Sequence, residues 1–446
     1  MKEENNILDK VNSWIKNSVT LKLASIAILI LLLLIPSSMV KSIITERELL
    51  NREAISEVST KWANSQEING PILTIPVHYA YMNNEKLVES TRYWHILPED
   101  LEIKGKVMPE TLSRGIYKIV VYKSDLSISG KFLLDKSPEK SNLKEIKWDE
   151  AFLTIGISDL RGIEEQVVLN WGTDKLDVEP GSRIPSIIST GITIDLPLID
   201  PTLKGGIPYN LKVKLQGSRN MSFIPVGNTT TVHLTSDWKD PSFNGNFLPD
   251  LRKVNDEGFI AQWKVLQLNR NFPQAWMNSE LNEDLENASF GVNLILPLDD
   301  YQKAMRSAKY AVMTIALTFL VFFLVEILNG RKIHPFQYTL VGLALTTFYI
   351  LLISISEHSN FNLAYSISMG AIVSMITLYS FSIFKTKKQS ILLFFTLSGI
   401  YGFLFVTLQL ADYALLLGSA GLTLILGLTM YFTRKINWYN LKRNND

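Results

Sequence analysis

The chain has no cysteine among its 446 residues, and this absence removes two kinds of stabilisation. Without thiols, neither a disulfide framework nor a thiolate metal site can form. A large domain does not need such cross-links, because its apolar core is big enough to hold it folded. The absence therefore excludes a small disulfide-rich fold and leaves a large folded domain open.

Motifs of common enzyme classes are also missing. The sequence has no H-E-x-x-H, no G-x-S-x-G and no G-x-x-x-x-G-K-[ST]. One S-x-x-K match, Ser141 to Lys144, has no S-D-N or K-T-G partner, so it does not indicate a serine β-lactamase. His78, His95 and His233 lie in predicted strands without metal-ligand spacing. We predict no catalytic residue, no cofactor and no metal site, and interpret the protein as non-enzymatic.

An excess of positive charge is lacking in the central region. Residues 41–310 contain 31 of the 44 Lys and Arg residues and 36 of the 43 acidic residues. A mildly acidic region has no basic face for nucleic acid, so we exclude nucleic acid as a partner. Residues 311–433 carry almost no charge outside a few short clusters, so the net charge of +1 sums two unlike regions.

What the chain does contain is a set of long apolar runs. A bilayer core of about 30 Å needs roughly 20 mostly apolar residues in a helix. Water-soluble helices show a polar stripe, and these runs lack one. We therefore predict six membrane spans and the lipid bilayer as a partner; the runs are 23–40, 310–328, 336–356, 361–384, 389–411 and 413–433.

The distribution of cations predicts which side each loop occupies. Short cytoplasmic loops are rich in Lys and Arg. The segment before the first run, the loop with Arg331 and Lys332, the loop at 385–388 and the tail from 434 are all basic, whereas the turns EHSN and Asp412 carry no cation. Both termini are predicted to be cytoplasmic, with residues 41–310 on the outer side of the membrane.

The first run is interpreted as an uncleaved anchor. The alternative is a cleaved signal peptide, but its apolar part is usually about 7–15 residues long and ends at an A-x-A site. The run 23–40 is longer, and IPSSMVKS contains no such site.

Residues between the first two spans show strand patterns. PILTIPVHYAYM and LVESTRYWHIL read as two strands around NNEK, and RGIYKIVVYKSDLSISGKFLL alternates with a polar break at Lys123 to Asp125. Such short strands with turn signals favour an antiparallel sandwich. About 270 residues is large for one sandwich, and two packed subdomains could form, with a division near 140 in KSPEKSNLKE.

The predicted fold is an integral membrane α-helical protein with six spans and a large all-β, sandwich-like domain on the outer side of the membrane. Seven segments follow from it: a cytoplasmic N-terminus (1–22), an anchor (23–40), a stalk helix (41–66), the β domain (67–298), a helix leading into the membrane (299–309), a five-helix transmembrane bundle (310–433) and a cytoplasmic tail (434–446).

Six residues near the membrane are candidate functional or structural residues: Glu326, Arg331, His334, Glu357, His358 and Asp412. Glu326 lies within an apolar run, where an ionisable group indicates function. The structural alternative is that Glu326 forms an ion pair with Arg331 or Lys332 at the membrane interface. His334 precedes Pro335, which suits the first turn of a helix. We expect this segment to lock the hairpin of spans two and three.

Glu357 and His358 share a predicted outer turn, where they form either a proton-responsive pair or a solvated turn. Asp412 is expected to be solvated in the other outer turn. A set of tryptophans in the β domain could line a glycan or lipid groove, but we expect it to pack in the core; it comprises Trp94, Trp148, Trp171, Trp238, Trp263 and Trp276.

Several stretches together resemble the CreD family of inner-membrane proteins, across nearly the whole chain. They are GPILTIPV, ISDLRGI, LTSDWKDPSFNGNFLP, AKYAVMTIALTFLVFFLVE, RKIHPFQYTLVGLALTTFYILL, SEHSNF, ADYALLLG and FTRKINWY. The resemblance implies a bacterial inner-membrane location, with an N-terminal anchor, a periplasmic domain and a C-terminal helical bundle. It also implies a role in cell-envelope integrity, in a two-component response to nutrients and envelope stress, and in β-lactam susceptibility and colicin tolerance. The family has no established reaction.

Three functions remain open from the sequence. The preferred one is a non-enzymatic envelope protein whose outer domain binds an envelope protein, a lipid or a wall component. The alternative is a transporter or lipid-handling protein, although no Pro interrupts spans two to six and no internal repeat is evident. An enzyme acting on envelope glycans would need two carboxylates in a cleft.

Overall fold

The computed structural model describes residues 19–83, 86–201, 205–278, 282–295, 300–328, 333–384, 386–410 and 413–434. They divide into two compact units. The helical unit comprises the described residues of Met1–Asn51 and Leu298–Asp446, and the β unit comprises those of Arg52–Pro297.

Helix α1 (Val19–Trp62) is 44 residues long and contributes to both units. It contains the first apolar run and continues through the stretch predicted as a stalk. The predicted stalk extended to residue 66, whereas the helix ends at Trp62 and the first strand begins at Gln66. The signal for a helix was its apolar spacing, which does not fix the last turn.

The β unit contains strands and one short helix, in the following order: β1 (Gln66–Asn83), β2 (Lys86–Ile96), β3 (Asp100–Arg114), β4 (Tyr117–Phe132), β5 (Leu143–Ile146), β6 (Phe152–Ile157), β7 (Val168–Trp171), β8 (Asp174–Asp177), β9 (Glu179–Pro180), β10 (Gly191–Asp195), β11 (Ile207–Ser218), β12 (Asn220–Phe223), β13 (Thr229–Ser236), β14 (Pro241–Gly245), β15 (Leu251–Asn255), β16 (Gly258–Leu266), β17 (Ala275–Met277), α2 (Asn282–Asn287) and β18 (Phe290–Leu294).

These strands form two sheets. The ten-stranded sheet has the order β14-β18-β12-β1-β6-β10-β9, with β2 and β5 also paired to β1, and β17 paired to β2. The eight-stranded sheet has the order β15-β16-β13-β3-β4-β11-β7-β8. Most pairs are antiparallel, but β1 pairs with β12 and β3 pairs with β13 in parallel. The predicted predominance of antiparallel pairs is confirmed, and these parallel pairs make the β domain mixed.

Alternation along the strands explains which face is buried. In β11 the side chains alternate between buried and exposed, as expected for a sheet with one face on a core. Every residue of β6 is buried, since this strand lies between β1 and β10. The antiparallel pairing of β1 with β2 is confirmed, and its last pair is Asn83 with Lys86.

Two local predictions in this region are wrong. The polar triplet Lys123 to Asp125 does not interrupt β4, because its polar side chains lie on a continuous strand between β3 and β11. No subdomain boundary lies near residue 140, since Arg52–Pro297 is one unit with one apolar core. Aromatic rings connect the two sheets, because the ring centroids of Phe243 in β14 and Trp263 in β16 lie 5.7 Å apart.

The helical unit contains five further long helices or helix segments and one short helix: α3 (Asp300–Lys309), α4 (Ala311–Leu328), α5 (Pro335–Ser356), α6 (Phe361–Phe384), α7 (Lys387–Gln409) and α8 (Ala414–Thr433). Among the described residues, four helices are long and apolar enough to cross a membrane, namely α1, α5, α6 and α7. A fifth span results if α3 and α4, which are bent by 44° at their junction, count as one. The apolar part of α8 that the structure describes is shorter than the other candidate spans, so six spans are not established.

Candidate functional site

Helix α1 packs on the helical unit through one stripe of side chains. The buried members are Ile26, Leu33, Ser37, Val40 and Ile44, at intervals of three, four or seven residues. These intervals keep side chains on one face of an α-helix. Gly342 of α5 packs closely against Leu33 of this stripe, because a Cβ at residue 342 would lie 2.2 Å from Cδ1 of Leu33.

Two cations extend the stripe at its ends, since Lys22 lies one turn before Ile26 and Arg47 lies three residues after Ile44. About 37 Å of helix separates the two, at 1.5 Å per residue. This separation slightly exceeds the hydrocarbon thickness of a bilayer, about 30 Å. The stripe therefore carries one positive charge at each end of a membrane-length helix.

Glu326, near the end of α4, pairs with Lys22. Its side chain is buried, and it forms an ion pair with the ammonium group of Lys22. The same carboxylate accepts a hydrogen bond from the backbone N–H of Ile333 at 3.0 Å and from the hydroxyl of Tyr338 at 3.1 Å. Three donors from separate segments thus satisfy one buried carboxylate.

This arrangement joins three parts of the helical unit. Lys22 belongs to α1, Tyr338 to α5, and Ile333 to the segment that leads into α5. A buried charge is tolerated when an opposite charge and hydrogen bonds compensate for its lost hydration. Removing one member of such a buried pair costs about 3–5 kcal/mol, because the other charge is left uncompensated.

The loop after α4 contributes a helix cap. The ring Nδ1 of His334 accepts a hydrogen bond from the backbone N–H of Phe336 at 3.2 Å, and Gln337 accepts one from the N–H of His334 at 3.0 Å. Pro335 is the first residue of α5, where its missing N–H leaves no unsatisfied donor. His334 itself is exposed, so the structure gives it a capping position. Arg331 lies outside the described residues.

At the other end of α5, Glu357 pairs with Arg47. A carboxylate oxygen of Glu357 lies 3.4 Å from Nε of Arg47, and the Glu357 side chain is mostly buried. His358, its neighbour in the sequence, is exposed. Glu357 therefore forms an ion pair with a cation of α1 rather than with the adjacent histidine. Asp412 lies outside the described residues.

Sequence reasoning identified the two carboxylates and missed their partners. Lys22 was interpreted only as a topology signal, and Arg47 and Tyr338 were not singled out. One available signal was helical spacing, which places Lys22 and Arg47 on the stripe that contains Ile26 and Ile44. That spacing shows a shared face, but it does not show which distant carboxylate meets the face.

The β unit has its own buried polar cluster around Asp159, in the stretch ISDLRGI. Its carboxylate accepts hydrogen bonds from Nε and Nη2 of Arg161 at 2.9 and 2.6 Å, and from the backbone N–H of Asn64 at 2.9 Å. The bond from Arg161 is the main cause that lowers the pKa of Asp159 to about 2. Arg161 also donates to the carbonyl of Thr60, in the last turns of α1. The cluster therefore fixes the C-terminal end of α1 to the β unit.

Arg270 is a second buried charge of the β unit. Its guanidinium donates to the carbonyls of Phe272 and Val226 at 2.9 and 3.1 Å, and to the amide oxygen of Gln274 at 2.5 Å. Burial lowers its pKa to about 10. Because these acceptors are backbone or amide oxygens, Arg270 joins its own loop segment, which extends to Gln274, to the segment at Val226, and this is a structural role.

The remaining sequence candidates have structural environments. His95 is buried, its Nδ1 lies 3.0 Å from the hydroxyl of Thr74, and burial lowers its pKa to about 4. The tryptophans pack in or against the core: Trp94, Trp171 and Trp263 are buried, and Trp148, Trp238 and Trp276 lie partly buried beside them. Among the described residues, no group of three His, Asp or Glu side chains is arranged to hold a metal ion.

Comparison with known proteins identifies the family. The family model described as "Inner membrane protein CreD" matches residues 18–439. The Escherichia coli (strain K12) protein "Inner membrane protein CreD" is 34% identical over 434 residues, which cover 95% of this chain and 95% of that protein. The chain therefore belongs to the CreD family of inner-membrane proteins.

Proposed function

We propose that this CreD-family chain is a non-enzymatic, multi-pass protein of the bacterial inner membrane that supports cell-envelope integrity and stress tolerance. Its β unit lies in the periplasm and binds an envelope protein, a lipid or a wall component. Its helical unit anchors this domain and relays the binding event. The family membership supports the membrane location, and the role in the envelope is our proposal.

One observation carries the proposal: the two candidate carboxylates of the helical unit that lie among the described residues pair with cations of α1. Glu326 pairs with Lys22 and Glu357 with Arg47. Ionisable groups of transporters face a substrate or ion pathway. Here they hold helices together, which favours an anchoring role over a transport role.

We propose six spans with both termini in the cytoplasm. Basic loops alternate with cation-free turns along the chain, as the positive-inside rule requires. The buried stripe of α1, from Ile26 to Ile44, supports an uncleaved first span, because a cleaved signal peptide would remove part of the packed core.

Single cysteines placed in this cysteine-free chain would test the topology. An impermeant thiol reagent applied to intact spheroplasts should label a cysteine at the exposed Leu268 and should not label one at Lys388. After lysis, both positions should react. Labelling at Lys388 before lysis would refute the proposed topology.

The binding role calls for site-specific photo-crosslinking in native membranes. A photoreactive residue at the exposed positions Leu198, Leu248 and Leu268 should give discrete adducts, while one at the buried Val232 should not. Cells that lack the chromosomal copy and express one of these variants should regain resistance to detergent stress in proportion to the amount of the variant protein. Restored resistance without any adduct from an exposed position would contradict binding by the β unit.

A transporter or lipid-handling protein is the second candidate. One observation favours it: four buried hydroxyl groups of α6 and α7 have no hydrogen-bond partner among the described residues, namely those of Ser368, Thr377, Ser390 and Tyr401. Polar groups in a membrane interior often mark a pathway. Solute or lipid movement in vesicles that contain the purified protein, absent from empty vesicles, would favour this candidate.

A further inference from the structure

Four buried hydroxyl groups of α6 and α7 lack a hydrogen-bond partner among the described residues, as the hydroxyl of Ser307 in α3 also does. In membrane helices a serine or threonine commonly donates to a carbonyl one turn earlier, as Ser380 does to Thr377 at 2.7 Å. Within the part of the chain that the structure describes, Ser368, Thr377 and Ser390 make no such bond and the Tyr401 hydroxyl has no partner, although each residue is more than nine-tenths buried. A buried hydroxyl without a partner costs about 1–3 kcal/mol. These groups therefore require an acceptor or donor from elsewhere.

A hydrogen bond fixes the register of the two helices. The hydroxyl of Tyr365 on α6 donates to the backbone carbonyl of Tyr401 on α7 at 2.7 Å. Because a short loop connects α6 to α7, the helices are antiparallel. The rings of Tyr365 and Phe405 also meet, with centroids 5.1 Å apart, and each ring leans about half a turn toward the start of its own helix. Backbone positions of the two helices whose numbers add to about 766 therefore lie at the same level. Thr377 and Ser390 meet this condition within one residue. These two unpartnered hydroxyls thus lie level with each other.

The same register brings the other two groups together. Side chains on an α-helix lean toward its N-terminus, so the hydroxyl of Tyr401 lies about one turn closer to the start of α7 than its Cα. That level corresponds to residue 398 of α7, which is opposite Ser368 of α6 in this register. Each level therefore contains one unpartnered hydroxyl from each helix.

An apolar layer separates the two levels. Nine residues lie between Ser368 and Thr377 along α6, a distance of about 13 Å. Ile372 and Val373 of α6, with Leu393 and Leu397 of α7, fill this layer, and all four are at most 2% exposed. A chain of hydrogen-bonded water cannot cross it, because these side chains offer no polar partner.

We propose that the bundle contains two separate internal water sites, one bridging Ser368 and Tyr401 and the other bridging Thr377 and Ser390. A hydroxyl can both donate and accept, so a water molecule at each level gains at least the two partners that a buried water needs. The sites fix the contact of α6 and α7. The apolar layer keeps them apart, so they bind water without conducting it.

Double-mutant cycles on the full-length protein in nanodiscs test the two sites. The variants Ser368→Ala and Tyr401→Phe should each lower Tm by about 1–3 °C. The double variant should melt no lower than the less stable single variant, because losing either hydroxyl releases the shared water. Thr377→Val and Ser390→Ala should behave in the same way, which provides a second pair if one variant fails to fold.

Matched controls separate this result from other causes. Ser368→Ala combined with Ser390→Ala should be additive, since these groups belong to different levels. Ser380→Ala, whose hydroxyl already bonds to its own helix, should be additive with Ser390→Ala. Additive effects within a level, or single variants with an unchanged or higher Tm, would refute the shared water sites.

Osmotic swelling distinguishes bound water from a pathway. Vesicles that contain the protein should swell at the rate of protein-free vesicles, because the apolar layer interrupts the polar groups. A faster rate that Leu397→Ser increases further would overturn the separation into two sites. Equal rates, together with coupling inside each level, are the expected outcome.

Discussion

The two units of the molecule place apolar side chains in different ways. In the β unit, strands such as β11 alternate between a buried and an exposed side chain. In the helical unit, large apolar side chains also cover the outside, as Leu415, Leu424 and Met430 of α8 do. Polar side chains are favoured on a surface in contact with water, whereas apolar side chains are stable on a surface in contact with lipid. The difference indicates which solvent each unit is built for.

The units also compensate for buried charge differently. Arg270 in the β unit is surrounded by carbonyl and amide oxygens that lie close to it in the loops. Glu326 in the helical unit pairs with Lys22, 304 residues away in the sequence, and with two further donors. In the β unit a charged side chain organises loops, and in the helical unit it joins helices.

The largest effect is expected for Glu326→Ala. It should lower the stability of the helical unit by about 3 kcal/mol, because Lys22 loses its counter-charge and two donors lose their acceptor. Glu326→Gln should have a smaller effect, since the amide oxygen can still accept a hydrogen bond. Protein abundance in membranes and the Tm of the purified chain measure both variants.

Resistance to detergent stress, the envelope phenotype of the proposed function, should follow the amount of protein in cells that express these variants. Lys61→Gln, which disrupts an exposed pair with Glu57, serves as the control and should change stability by less than about 0.5 kcal/mol. Normal abundance of Glu326→Gln together with complete loss of phenotype would assign a functional, proton-carrying role to Glu326.

In the β unit, Arg270→Lys should destabilise by about 2 kcal/mol. An ammonium group cannot reach the oxygens of Phe272, Val226 and Gln274 together, so buried acceptors remain unsatisfied. Arg252→Lys, on the exposed strand β15, is the matched control and should be neutral. Proteolysis of the β unit in the full chain, at increasing temperature, reports the difference. Equal protease resistance of the two variants would contradict the role of Arg270.

The contribution of Asp159 should depend on pH. Its pKa in the folded protein is about 2, below the ordinary value of 3.8, so its stabilisation is complete above pH 3.8 and is lost as the pH falls toward 2. Asp159→Asn should cost about 2 kcal/mol at pH 5 and about half as much at pH 3. Denaturant melts at the two pH values test this. A difference that does not change with pH would exclude the charge as the cause.

The smallest effect concerns the contact of α1 with α5. At Gly342 an added methyl group would meet Leu33, whereas at Gly370 nothing lies within 4 Å. Gly342→Ala should therefore be less stable than Gly370→Ala by about 1–2 kcal/mol. Adding Leu33→Val should recover part of the loss, because it shortens the side chain that clashes. Equal Tm values for the two alanine variants would show that α1 yields easily at this position.

Much of the fold was predictable from local patterns. The hairpin of β1 and β2, the helix of the first apolar run and the start of α5 at Pro335 follow from alternation, hydropathy and proline chemistry. The continuity of β4 through Lys123 was not predictable, because an exposed polar face and a loop look alike in sequence. The parallel pairing of β3 with β13 was missed since it joins segments more than 120 residues apart.

For the candidate site, the sequence by itself determined that Glu326 and Glu357 are unusual, because an acid in or beside an apolar run is costly wherever the chain goes. It also determined that the chain carries membrane-length helices and a β domain, since lipid and water impose different periodicities. Only the tertiary structure decided that Lys22 and Arg47 of one helix meet those two acids. The physical reason is that an ion pair needs two atoms within a few ångströms, and the packing of distant helices sets that distance, whereas local sequence sets only the face on which each charge lies.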